Sequence, residues 1–280
     1  MARFGLILAF SGLLGAGCGT ARPRARVPFL ADHYGPTTAP PSSRWHRPSA
    51  PSMPTVGAVE AVDTSSSTRR QVVTGPNGKR YALRWTKRSG SVGHPAGGSL
   101  KDGRALPDTG PGYRRIGSRP FGTDETVTYV AYAAWVVAQL FPGTAPVVIG
   151  DLSQDGGGHC SPHRSHRTGR DVDIGYYKVD NEPLRFFVSL ESEDLDTDKT
   201  WAYVEALLRT GAVQYIFMDR AVQEALYRHA KKDGWDEETL GKVFQYPGGN
   251  DKAVVRHVSG HRNHFHVRFV CPPEDEDCES

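Results

Sequence analysis

The sequence predicts an α+β domain built on a small, largely antiparallel sheet with helices packed around it. Strand-like and helix-like segments mix without the regular alternation that builds a parallel sheet. Residues 171–177 and 264–270 alternate polar with apolar side chains, as half-buried strands do. The 280 residues, 38% hydrophobic and 10% aromatic, suffice for one sizeable core, though the apolar residues are unevenly spread.

Taken in order, Arg3 precedes an apolar run over residues 4–14 and the small residues Gly15-Ala-Gly-Cys18. That is too short for a membrane span and reads as an export signal over residues 1–18. Cys18, directly after small residues, resembles a bacterial lipoprotein processing site. Its lipidation would anchor the chain to a membrane facing the periplasm, and ordinary cleavage nearby is the alternative. Residues 19–68 are rich in Pro, Ser, Thr and Ala, without periodic apolar positions. They cannot bury enough surface to offset ordering entropy, and read as a tether.

The folded domain is expected over residues 69–272, with 273–280 a solvated acidic tail. Residues 69–85 predict one or two strands about a Pro76-Asn-Gly turn. Residues 90–112 read as an irregular, glycine-rich surface segment. Thr123-Asp-Glu starts a helix that runs to Phe141 and stops at Pro142-Gly143. Residues 147–150 form a buried strand, and residues 171–177 a second. Helices follow over 199–209 and 220–231, with a strand between them at 213–218. A last strand occupies 264–270.

Charge discriminates little. A formal net charge of +3 suits work beside an anionic polymer but is no nucleic-acid footprint. If lipid consumes Cys18, then Cys160, Cys271 and Cys278 allow one disulfide in an oxidising compartment, with three pairings open.

Seven of the eleven histidines fall in two short stretches. The first runs from His159 through His163 and His166 to Asp171 and Asp173. The second holds His257, His261, His264 and His266, followed by Arg268. Imidazole and carboxylate brought together by folding are the usual donors of a catalytic zinc ion. Strand periodicity puts His264, His266 and Arg268 on one face and Phe265, Val267 and Phe269 in the core. It likewise pairs Asp171 with Asp173. A lone histidine is more often an ordinary surface or hydrogen-bonded residue, but a His-x-His strand pair beside a His-x6-Asp segment points to a bound metal. One aspartate could instead orient a ligand from behind. His159 and His257 sit at the edges of the clusters. Arg268 either holds a substrate carboxylate or pairs with an acid nearby.

Ser165-His-Arg-Thr-Gly-Arg-Asp-Val-Asp173-Ile, preceded by His163, resembles the first motif of the penicillin-insensitive murein endopeptidases. Gly260-His-Arg-Asn-His264-Phe-His266-Val-Arg268 resembles their second. Gly150-Asp-Leu-Ser-Gln154, Gly103-Arg-Ala-Leu-Pro107 and Gly110-Pro-Gly-Tyr113 are similar to upstream family segments, so the likeness covers about residues 93–270. The wider group, with lysostaphin-type and D-Ala-D-Ala metallopeptidases and hedgehog domains, carries a His, Asp, His zinc set on a small antiparallel sheet. The resemblance implies Zn2+ held by His166, Asp173 and His266, with His163 matching a further metal-site histidine. It makes His264 the general base and His261 a hydrogen-bonding partner of the water or the tetrahedral intermediate. It implies an exported peptidase acting on peptidoglycan cross-links. The rival readings are a D,D- or L,D-carboxypeptidase on stem peptides, a cysteine peptidase using Cys160, and a metal-binding cell-wall lipoprotein without activity.

Overall fold

The computed structural model describes residues 67–159 and 161–280; the expected export signal, nearly all of the tether, and Cys160 lie outside them. Strands β1 (Thr68–Thr74) and β2 (Arg80–Thr86) form a hairpin about the expected turn. Residues 90–112, expected to be irregular, instead carry β3 (Gly90–Val92), β4 (Ser99–Lys101), β5 (Arg104–Ala105) and β6 (Thr109–Gly110). These strands of two or three residues exist through pairing partners rather than periodicity, and Leu100 within β4 and Leu106 just after β5 are buried. After β7 (Tyr113–Arg115) and β8 (Phe121–Gly122) comes helix α1 (Asp124–Leu140). Thr123 caps it, its side chain accepting from the Thr126 amide, with Asp124 and Glu125 complementing the positive end of the helix dipole.

Then follow β9 (Val147–Ile149), β10 (Asp171–Gly175), α2 (Thr197–Leu208), β11 (Val213–Met218), α3 (Arg220–Lys232), α4 (Glu237–Val243), β12 (Val255–His257) and β13 (His264–Phe269). Helices α2, α3 and α4 start at Asp196, Asp219 and Asp236, whose carboxylates accept from the first-turn amides. β10 is shorter than expected, ending at Gly175, because Tyr176 and Tyr177 turn away from the ladder. The sequence pattern predicts neither α4 nor β12.

The main sheet has seven strands in the order β12-β11-β13-β10-β9-β7-β6. Only β11–β12 and β7–β9 run parallel, so the sheet is largely antiparallel and the α+β class holds. The register of β10 on β13 sets Asp171 opposite Arg268 and Asp173 opposite His266. Between them Val172, Ile174, Phe265, Val267 and Phe269 point to the other face and are buried. Burying each stabilises the fold by about 1.5–3 kcal/mol relative to exposure. Tyr203 of α2 meets Phe265 edge-on at 5.9 Å, and Tyr129 of α1 lies 5.6 Å from Phe269. The helices thus back one face of the sheet and leave the histidine face open.

The C-terminus departs from expectation. Cys271 and Cys278 form the disulfide. Glu274 pairs with Arg69 at 2.7 Å and Asp275 with Lys87 at 2.9 Å, so these two tail acids are docked rather than simply solvated. The basic inner edge of the hairpin supplies their partners.

Candidate metal centre

Strand pairing brings the two histidine clusters together. The Nε2 of His166, the Nδ1 of His266 and the Oδ1 of Asp173 lie 2.9–3.4 Å from one another, and all three residues are buried. Each imidazole has its other nitrogen engaged. His166 Nδ1 donates to the Leu152 carbonyl at 2.6 Å, and His266 Nε2 donates to Asp171 Oδ1 at 2.8 Å. Those bonds fix ring orientation and tautomer and turn the remaining lone pairs towards one point beside Asp173. Two nitrogens and a carboxylate oxygen so arranged fit a divalent cation of intermediate softness.

Asp171 faces away from that point. Its carboxylate takes His266 through Oδ1, Arg268 Nε at 2.8 Å, and the His166 amide at 3.2 Å. It therefore orients both histidines, and Arg268 pairs with it. Burial raises the Asp171 pKa, but the bond from His266 and the nearby positive charges more than reverse this, leaving it well below the usual carboxylate range. Asp173 is lowered in the same way, against burial, by its electrostatic and hydrogen-bond interactions with His166 and His266. For His266, burial disfavours charge, yet its two carboxylate partners raise its pKa to about 9. A cation at Nδ1 competes with that proton, as metal ligation by histidine requires.

His166 itself has φ of 64°. A left-handed backbone at a non-glycine residue costs on the order of 1–3 kcal/mol and persists where the surroundings hold it, here the Leu152 and Asp171 bonds.

His163 stands at the rim, its ring centroid 4.4 Å from that of His166. Its Nε2 meets Asp151 Oδ2 at 3.1 Å, and its Nδ1 lies 3.8 Å from Asp173 Oδ2. His163, His166 and Asp173 also form a possible metal-holding group, with donor atoms within 4.8 Å of one another. Two triads thus share His166 and Asp173. The one completed by His266 is tighter, and both of its imidazoles have fixed tautomers, so it is the better cation cradle.

His264 shares the polar face of β13. Its Nδ1 donates to Asn263 Oδ1 at 2.6 Å, which leaves Nε2 bare and 3.8 Å from Asp173 Oδ1. Burial lowers its pKa to about 4. Phe187 stacks on the ring, centroids 4.9 Å apart and planes 14° from parallel. The phenyl ring occupies a slot that two glycines leave open: a Cβ at Gly150 would come within 2.6 Å of Phe187, and one at Gly175 within 3.3 Å. His261 is looser, its ring 5.0 Å from His264 and 6.2 Å from His266, with Nδ1 donating to the Val258 carbonyl at 3.0 Å. His159 and His257 are exposed at the edges.

Sequence reasoning did not single out Asp151, the Leu152 carbonyl, Asn263 or Phe187. Asp151 stood inside a segment noted only for its likeness to a family. Burial raises its pKa, but His163 and Arg119 lower it to about 2. A carboxylate directly after a short buried strand was the one available signal.

A sequence model of the family described as penicillin-insensitive murein endopeptidase matches residues 91–280. Proteins of that name from Klebsiella pneumoniae and from Escherichia coli O157:H7 are each 28% identical, over 68% of this chain and 69% of theirs. The one from Haemophilus influenzae is 25% identical, over 68% of this chain and 66% of its own.

Proposed function

The chain belongs to the penicillin-insensitive murein endopeptidase family, and from that membership we propose that it is an exported zinc peptidase that hydrolyses peptide cross-links of peptidoglycan. One observation carries the reading. His166 Nε2, Asp173 Oδ1 and His266 Nδ1 converge, each imidazole being fixed from behind. These three residues would hold the ion, and His163 supports the same rim. A zinc ion held there would supply Lewis acidity for an amide carbonyl and lower the pKa of water towards neutrality.

The other residues divide the remaining work. His264 presents an unprotonated Nε2 beside the cradle, because its Nδ1–H is committed to Asn263. At that atom it accepts the proton of the attacking water and returns it to the departing amine. No glutamate stands within the two histidine motifs, so an imidazole is the base they offer. His261, with Nδ1–H given to Val258, turns Nε2 to orient the water. Asp171 and Arg268 hold His266 in place. Export and attachment through Cys18 accord with the apolar run at residues 4–14 and the tether after it.

The test joins metal analysis to digestion of purified cross-linked muropeptides, with and without a chelator. Stoichiometric zinc and chelator-sensitive release of monomers from dimers are expected. Release of terminal D-Ala alone would replace the endopeptidase reading with a carboxypeptidase. Turnover abolished by thiol alkylation but untouched by chelation would reject the metal reading.

A further inference from the structure

Residues 68–88, ahead of the segment matched by the family, carry seven basic side chains and no acidic one, while the whole chain is only +3. The rest of the chain is therefore net acidic, and the positive charge is concentrated in the hairpin. Register divides that charge into two sets. On the inner face Gln71, Val73, Leu83 and Trp85 are buried against α1, where Trp85 meets Tyr129 edge-on and Tyr81 meets Trp135. The cations beside that face, Arg69 and Lys87, are neutralised by Glu274 and Asp275. On the outer face Arg70 stands directly opposite Arg84, both exposed and neither ion-paired, with Lys79 at the turn and Arg88 just beyond β2. Like charges directly opposite across a ladder destabilise it. Folding gives no return for this pair, whereas an anionic surface laid on that face does.

We propose that the outer face of the β1–β2 hairpin docks the carboxylate-bearing peptidoglycan polymer, apart from the catalytic face. The murein reading enters only in choosing the polymer. Stem peptides carry free carboxylates at intervals along an extended strand, and a flat basic face of threonine and arginine complements such a polyanion. The absence of any large exposed apolar side chain on this face argues for a hydrated polyanion over a lipid bilayer: the exposed large hydrophobics of the described residues are Val179, Phe186, Val258 and Val270, none in the hairpin. The helices that back the sheet lie between this surface and the histidines, so the enzyme would hold one part of the polymer while cutting another.

The experiment is co-sedimentation of the full chain with purified sacculi, in a His264→Ala background that keeps the polymer intact, at low and raised salt. Reversing both charges (Arg70→Glu with Arg84→Glu) is expected to weaken sacculus binding roughly tenfold and to remove most of its salt dependence. Arg70→Gln with Arg84→Gln should give a smaller loss in the same direction, and decides the matter where the reversal variant does not fold. Wild-type-like sedimentation of the folded variants would overturn the proposal. So would no sedimentation of the parent, or a loss confined to vesicles containing phosphatidylglycerol. Salt-sensitive binding of the His264→Ala protein, together with no hydrolysis by the unsubstituted protein, would sink the proposed activity and leave this surface standing.

Discussion

His264 and Asp171 separate two jobs that single substitutions can tell apart. His264 touches the cradle only through a 3.8 Å approach to Asp173, and its Nδ1 is tied to Asn263. Replacing it by alanine should leave zinc near stoichiometric and lower turnover on muropeptide dimers by roughly 10²–10⁴-fold, the usual worth of a positioned base. Unchanged hydrolysis would remove the base assignment. Asp171→Asn should do the reverse, since it weakens the bond that orients His266 and leaves Arg268 less well paired. Zinc affinity is expected to fall roughly 10–100-fold, as for other residues that hold a ligand histidine, read by competition with a chelator of known affinity. Phe187 belongs beside them because it fixes the plane of the His264 ring. Phe187→Ala should cost about tenfold in kcat with little change in KM, and Phe187→Tyr should restore most of it, since a misplaced base is felt mainly in the transition state. Equal turnover in the alanine variant would show that the stacking does not matter.

Among the elements, strands β10 and β13 are legible in the sequence from their alternation, whereas their pairing with each other is not. Asp171, Asp173, His266 and Arg268 fall on one face and Val172, Phe265 and Val267 on the other; that division fixes the parity of the register, and the structure supplies the rest. Helix α1 was legible from its cap and its Pro142-Gly143 stop. The strands between residues 90 and 110 were not, since two or three residues hold no period and their existence depends on distant partners. The same reason hid Phe187, which lies in a loop without pattern, and Asp151, whose partner is twelve residues on. Asp151 nevertheless joins the end of β9 to the histidine loop through His163 and Arg119. Its pKa of about 2 lies below the ordinary aspartate value, so the stability it contributes is full above about pH 4 and is lost as the pH falls towards 2. Asp151→Asn should therefore destabilise metal-free protein by on the order of 2 kcal/mol near pH 7, with the gap from wild type closing between about pH 4 and pH 2 in denaturant titrations. A gap that does not change over that window would show that the carboxylate is not stabilised by its partners.

For the molecule as a whole, the two ends of the described chain are fastened to each other. The hairpin covers α1, and the tail closed by Cys271–Cys278 ties Arg69 and Lys87 through Glu274 and Asp275. The backbone joins in as well: Gly93 donates to the Asp277 carbonyl, and Glu279 donates back to that of Gly93. Lys87 also reaches Glu125 in the first turn of α1, so the tail, the hairpin and the helix that backs the catalytic sheet share one ion-pair network. The pairs around Lys87 are largely buried, so their attraction is set against the cost of desolvating both charges, and the disulfide removes the freedom the tail would have when detached. The loop it closes is short, with seven residues of separation, and loops of that size contribute about 2–3 kcal/mol in the chain-entropy account. Cys278→Ser, or mild reduction of the wild type, is therefore expected to lower Tm by roughly 5–10 °C for a domain of this size. If the tail acts through the network, Asp275→Asn should lower Tm less than Cys278→Ser, and combining the two should give less than the sum of their effects. Fully additive losses would mean that the disulfide and the ion pairs stabilise the fold independently, and that the tail is not a clasp but two unrelated contacts.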